Sequence, residues 1–97
     1  MERKAVVLNR KDNVATALSG LEAGEVVGVE VDKDLVSVTL ADPISFGHKF
    51  SLTDIKTDSA IIKYGEIIGK ATRDIKPGQH VHVHNVASTR GRGDEAK

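Results

Sequence analysis

The chain has 97 residues, 14 Lys and Arg against 14 Asp and Glu, 39% hydrophobic residues and no cysteine, and its aromatics are Phe46, Phe50 and Tyr64. That length sets one small domain around a modest core of Val, Ile and Leu, and a neutral charge balance without single-sign blocks argues against a nucleic-acid or anionic-membrane partner. Without thiols there is neither disulfide nor thiolate ligand, so any metal falls to His, Asp or Glu.

No apolar run approaches the roughly 20 residues of a membrane span, and Met1-Glu2-Arg3-Lys4 leads into no signal-peptide core, so the expected compartment is the cytoplasm. Residues 4–8 predict a first strand. Asp12 predicts a cap for a helix over 13–19, because Val14, Ala17, Leu18 and Leu21 recur at helical spacing and Gly20 stands where a left-handed terminal residue belongs. That is the one helix expected, and the fold class is all-β, mainly strands with one short helix. From residue 25 the period changes to two: residues 25–31 and 35–40 predict a hairpin about a turn at 32–34. Further strands are expected at 49–52, 60–64, 66–71 and 79–86, broken by Gly47, Gly65 and Pro77-Gly78. Two echoes suggest related β-units: Gly24-Glu25-Val26-Val27-Gly28 against Gly65-Glu66-Ile67-Ile68-Gly69, and Asp54-Ile55-Lys56 against Asp74-Ile75-Lys76. The chain then turns small and polar, predicting a domain over 1–87 and a flexible tail or linker over 88–97, where Arg92-Gly93-Asp94 is a chance match to an adhesion tripeptide.

Three clusters carry chemically versatile side chains. In His80-Val81-His82-Val83-His84-Asn85, a strand would put the three imidazoles on one face and both valines on the buried one. Alternate histidines about 6.6 Å apart can converge on one ion, whereas His80 and His84, about 13 Å apart, cannot unless the strand bends, which leaves His48 as the candidate third ligand. The same residues equally fit the polar face of an amphipathic strand. In Ile44-Ser45-Phe46-Gly47-His48-Lys49-Phe50, His48 can move a proton and Lys49 can grip a carboxylate, provided Gly47 bends the chain so that both serve one site. Tyr64, the one phenol, can orient a substrate hydroxyl or rim the core. No P-loop, dinucleotide fingerprint, serine-hydrolase elbow or His-Glu-x-x-His occurs.

Phe46-Gly47-His48-Lys49, Ile62-Lys63-Tyr64-Gly65 with Ile68-Gly69-Lys70-Ala71, and His80-Val81-His82-Val83-His84-Asn85-Val86, in that order, resemble the SAF-type domain of the altronate and galactarate dehydratase family. Arg90-Gly91-Arg92-Gly93-Asp94 is similar to the junction that leads into the family's large catalytic region. The resemblance implies a β-clip fold, as in type III antifreeze proteins and the C-terminal domain of sialic acid synthases. It implies elimination of water from sugar acids, or of sulfite from sulfolactate in related two-subunit lyases whose small subunit is such a chain. It further implies a divalent metal, iron(II) foremost, a polyhydroxy carboxylate substrate, and a large catalytic subunit that completes the active site. His48, His82 and His84 are then the catalytic candidates, Lys49 and Tyr64 the substrate-binding ones, and His80 with His82 the metal candidates. A non-catalytic module for a sugar acid or a protein and a small metal-binding protein remain as other readings, and unpaired strand edges leave room for a homodimer.

Overall fold

A four-residue turn used four times organises the chain in the computed structural model, which describes residues 4–88. Leu21 and Ile44 form one isolated bridge and Ile55 and Ile75 another, and each of the four residues is followed by a turn closed by a backbone bond: Glu25 N–H to the Glu22 carbonyl, His48 to Ser45, Ser59 to Lys56 and Gln79 to Lys76, at 2.9–3.1 Å. The third residue of each turn has positive φ: Gly24 at 88°, Gly47 at 84°, Asp58 at 72° and Gly78 at 86°. This is the type II pattern, which favours glycine at that position. At Gly78 it is also a matter of space, since a Cβ there would run into the Thr39 carbonyl oxygen.

Among the described residues nine strands result: β1 (Ala5–Val6), β2 (Val14–Ala17), β3 (Val26–Val31), β4 (Asp34–Thr39), β5 (Lys49–Ser51), β6 (Ala60–Lys63), β7 (Glu66–Ala71), β8 (His80–Val81) and β9 (Val86–Ser88). They form three sheets, ordered β1-β2-β5-β8, β3-β4 and β6-β7-β9. The hairpins β3–β4 and β6–β7 turn through Asp32-Lys33 and Tyr64-Gly65, all four residues at positive φ, the mirror-image turn whose twist suits paired strands. Each hairpin is fastened at its base in the same way: Gly24 and Leu40 exchange bonds with Leu40 and Glu25, as Asp58 and Ala71 do with Ala71 and Ser59. Residues 21–50 and 55–81 are thus two copies of one unit. Their bridges Leu21↔Ile44 and Ile55↔Ile75 correspond, and their exit strands β5 and β8 pair antiparallel, Lys49 opposite Val81 and Phe50 opposite His80, about an approximate twofold between them.

The echo noticed in the sequence is therefore real but differently registered. Residues 24–28 correspond to 58–62, while Gly65 belongs to a hairpin tip, and Ile55 and Ile75 are the two partners of one bridge. Each copy buries its own cluster: Val27, Val29, Leu40, Ile44 and Phe50 in the first, Ile55, Ile61, Ile75 and Val81 in the second.

The helix expected over 13–19 is absent; among the described residues there is no helix. β2 occupies that stretch, paired on one side with β1 and on the other with β5. Val14 joins the second cluster and Ala15 the first, so successive residues bury on opposite sides, a period of two that a helix cannot supply. Asp12 caps no helix: its Oδ1 accepts the Gly65 N–H at 2.8 Å, tying the tip of β6–β7 to the start of β2. Asn13 acts as a side-chain strand, accepting from Ile62 N–H at 2.8 Å and donating to the Ala60 carbonyl at 2.9 Å. The strand expected over 79–86 is also broken, into β8 and β9 with a turn between. β9 pairs with β7 as far as Ser88, the first residue of the tail expected over 88–97, and the rest of that tail, with the tripeptide at 92–94, lies outside the described residues. Among the described residues no helix is long and apolar enough to cross a membrane.

Candidate functional site

The histidines gather where the two copies meet. Gly47 turns the chain so that His48 stands at the mouth of β5, and β5 lies against β8, which starts with His80. Asp42 anchors that start, its Oδ2 accepting the His80 N–H at 3.0 Å. After Val81 the chain leaves the sheet, and residues 82–85 double back. His48 and His82 consequently stack at 4.4 Å between ring centroids, His48 and His80 at 5.1 Å, and His80 and His82 at 5.3 Å, with planes within 20° of parallel. His84 reaches His80 at 5.3 Å with its ring tilted by 34°. A straight strand would hold those last two about 13 Å apart; the turn removes that obstacle, and it also sends Val83 outward to 81% exposure rather than into the core.

His48 Nδ1 and His80 Nε2 lie 2.9 Å apart in a hydrogen bond, so one nitrogen carries the proton and the other accepts it. One nitrogen from each of His48, His80 and His82 falls within 4.8 Å of the others, and all three residues are half-buried. By its chemistry, three imidazole nitrogens within 4.8 Å of one another, this donor set suits a divalent transition metal. Burial pushes the His80 imidazolium below its ordinary pKa, reinforced by His48, His84 and His82 and opposed by Asp42. Burial likewise lowers His82, with His48, Lys49 and His84 adding to it. Both effects favour the neutral imidazole, the form that binds metal or takes a proton.

Lys49, half-buried beside the cluster, has its ammonium pKa lowered by burial and then by the charge of Lys63. Together with His82 it lines a groove of about 300 Å³ whose other walls are Ile68, Val83, Val86 and Ser88. Tyr64 is elsewhere: it forms the tip of the β6–β7 hairpin, 47% exposed, with the Lys63 ammonium 4.7 Å from its ring centre, and it joins none of the imidazole stacks. The structure therefore brings together His48, Lys49, His80, His82 and His84 and leaves Tyr64 out. Two residues with no assigned role in the sequence reading support the cluster, Asp42 and Asn85. Only the adjacency of Asn85 to the histidine run hinted at it; nothing near Asp42 did.

The family model for the altronate/galactarate dehydratase SAF domain matches residues 3–89. The chain is 46% identical over 80 residues to altronate dehydratase of Escherichia coli and 40% identical over 80 residues to that of Bacillus subtilis, in each case covering 82% of this chain and 15% of the relative. It is 38% identical over 88 residues to the (2R)-sulfolactate sulfo-lyase subunit alpha of Chromohalobacter salexigens, covering 88% of this chain and 94% of that subunit. The chain thus spans about one-seventh of the dehydratases it matches and nearly all of the sulfo-lyase subunit. Its duplicated all-β architecture is consistent with the small β-clip-like domain expected of such a match. By the extent of these matches, the chain belongs to the altronate/galactarate dehydratase SAF domain family.

Proposed function

We propose that the chain is the small subunit or N-terminal domain of a carbohydrate-acid dehydratase or related lyase, and that it completes an active site with a larger partner in the cytoplasm. The observation that supports this is the gathering of His48, His80 and His82 on one face of a domain whose relatives include dehydratases and a sulfo-lyase subunit. A sequence without cysteine needs no oxidising compartment.

In such an elimination a base removes the proton beside the carboxylate, and the leaving group departs with a proton or towards a Lewis acid. His48, His80 and His82 would hold a divalent ion, iron(II) by the resemblance, through one nitrogen each. Bound there, the ion supplies Lewis acidity towards the substrate's hydroxyl or carboxylate oxygens. To ligate, His48 and His80 would trade their mutual hydrogen bond for tautomers that carry the N–H on the nitrogen facing away from the ion, and because imidazolium cannot ligate, metal affinity weakens as pH falls. His84, exposed and outside the three-nitrogen set, remains to carry the proton. Lys49 pairs its ammonium with the substrate carboxylate at the mouth of the groove. Tyr64 has no part in this scheme.

The test is to recover the tagged chain from its native cytoplasm and to assay the recovered material on altronate, galactarate and sulfolactate, each with and without iron(II). A large co-purifying subunit and turnover of one acid by the complex alone are expected. Recovery of the chain by itself, binding a sugar acid or a metal without turnover, would instead make it a binding module.

A further inference from the structure

The turn bearing His82 and His84 ends on a buried polar residue that the scheme above does not use. Asn85 is 3% exposed, and its side chain spans the turn. Oδ1 accepts the His82 N–H at 2.9 Å, and Nδ2 donates to the His80 carbonyl at 2.8 Å. Its own N–H donates to the His82 carbonyl at 3.1 Å, while its carbonyl accepts the Thr72 N–H at 2.9 Å, just beyond the end of β7. One residue thus binds the backbone of both His80 and His82 and fixes that pair to a neighbouring sheet. A carboxamide suits this place because it both donates and accepts, and the two backbone groups call for one of each.

The consequence lies in where the rings point. β8 ends at Val81, and a chain free to continue as a strand would carry His82 and His84 away from His80 along its length. The bonds at Asn85 close the turn instead, leaving the rings of His82 and His84 both 5.3 Å from that of His80.

We propose that Asn85 is the positioning residue of the imidazole cluster: its side-chain amide sets the 82–85 turn and thereby the register at which His80 and His82 meet His48. What the cluster does when so arranged rests on the function proposed above; the arrangement itself does not, and it is measured separately.

Two readouts on the whole chain test this with Asn85→Ala and Asn85→Asp. The first is the long-range proton–nitrogen spectrum of the imidazoles at pH 8, in which the His48–His80 bond couples the two tautomers, so that both rings carry Nδ1–H or both carry Nε2–H. The second is the affinity for Zn(II), used as the probe ion. Asn85→Ala should give a folded chain whose His48 and His80 tautomers are mixed and whose Zn(II) affinity is about 10- to 100-fold weaker, the usual effect of losing an outer-shell partner. Asn85→Asp retains the acceptor for His82 but not the donor to His80, and should lie between. Wild-type tautomers in Asn85→Ala, with Zn(II) affinity within about twofold, would overturn the proposal. If Asn85→Ala does not fold, Asn85→Asp decides on the same criteria, and loss of folding in both would also overturn it, because the residue would then hold the fold rather than the cluster. Should the wild type bind no Zn(II), the metal reading fails and the tautomers alone judge Asn85.

Discussion

Residues 21–50 and 55–81 build the same bridge, the same positive-φ turns and the same fastened hairpin from different side chains, and they diverge in what surrounds them. The first hairpin, β3–β4, forms a two-stranded sheet, while the second, β6–β7, gains β9 and is tied at its tip by Asp12. The exit strands diverge further: where the first copy has Lys49 and Phe50, the second has His80 and Val81. The backbone repeat fixes where the two copies cross, and the side chains at the crossing decide what it contributes. Phe50 and Val81, both fully buried, point to opposite faces of the pair and join separate core clusters, while the half-buried Lys49 and His80 are left for the site.

Removing Phe50 should do the most damage. Phe50→Ala is expected to cost about 3–5 kcal/mol, whereas the equivalent Val81→Ala should cost about 2 kcal/mol, because fewer buried carbons are lost. Urea unfolding of both variants checks the ratio, and equal losses would break the assignment of unequal roles. The turns give a second contrast. Gly78→Ala meets both the positive φ and the Thr39 carbonyl and should cost about 3 kcal/mol, while Gly24→Ala meets only the φ penalty in open space and should cost about 1 kcal/mol.

Ligand linkage sharpens the site's half of the comparison. If His48 from the first copy and His80 and His82 from the second share an ion, a free metal concentration of 100 times Kd should stabilise the chain by about 2.7 kcal/mol, and a chelator should abolish the gain. His48→Ala should remove most of it, readable as a melting shift with and without metal. The smallest effect is that of pH. Burial holds His80 and His82 below their usual pKa, so the unfolded chain takes up protons first, near pH 6.5, and stability falls as pH drops through the window from there to the lowered folded values. Above that window these two groups contribute no slope. Urea midpoints between pH 8 and 5 should therefore decline less in a His80→Gln/His82→Gln double variant than in the wild type.

Much of the scaffold could be read from local pattern. The expected strands at 25–31, 35–40, 60–64 and 66–71 match β3, β4, β6 and β7 to within a residue, because alternation and turn residues are short-range signals. β2 escaped because Val14, Ala17 and Leu18 also satisfy helical spacing, and what settles Val14–Ala17 as a strand is pairing with β1 and β5, one of them over 30 residues away in sequence. The fourfold turn was half hidden because one of its positive-φ positions is Asp58 rather than glycine. At the site, residue type pointed to His48 as the partner of His80 and His82, and the three do meet. The bend that brings them there was invisible, since it depends on Asn85 reaching both the run before it and Thr72 beyond β7.

The most direct test of an imidazole site completed by a larger partner is the turnover of the assembled enzyme carrying His48→Gln in this chain. Complex formation at wild-type strength with kcat reduced about 100-fold or more is the predicted result, in the range expected when a metal ligand or proton-transfer group is lost. A complex that forms normally and turns over its acid at the wild-type rate would contradict it.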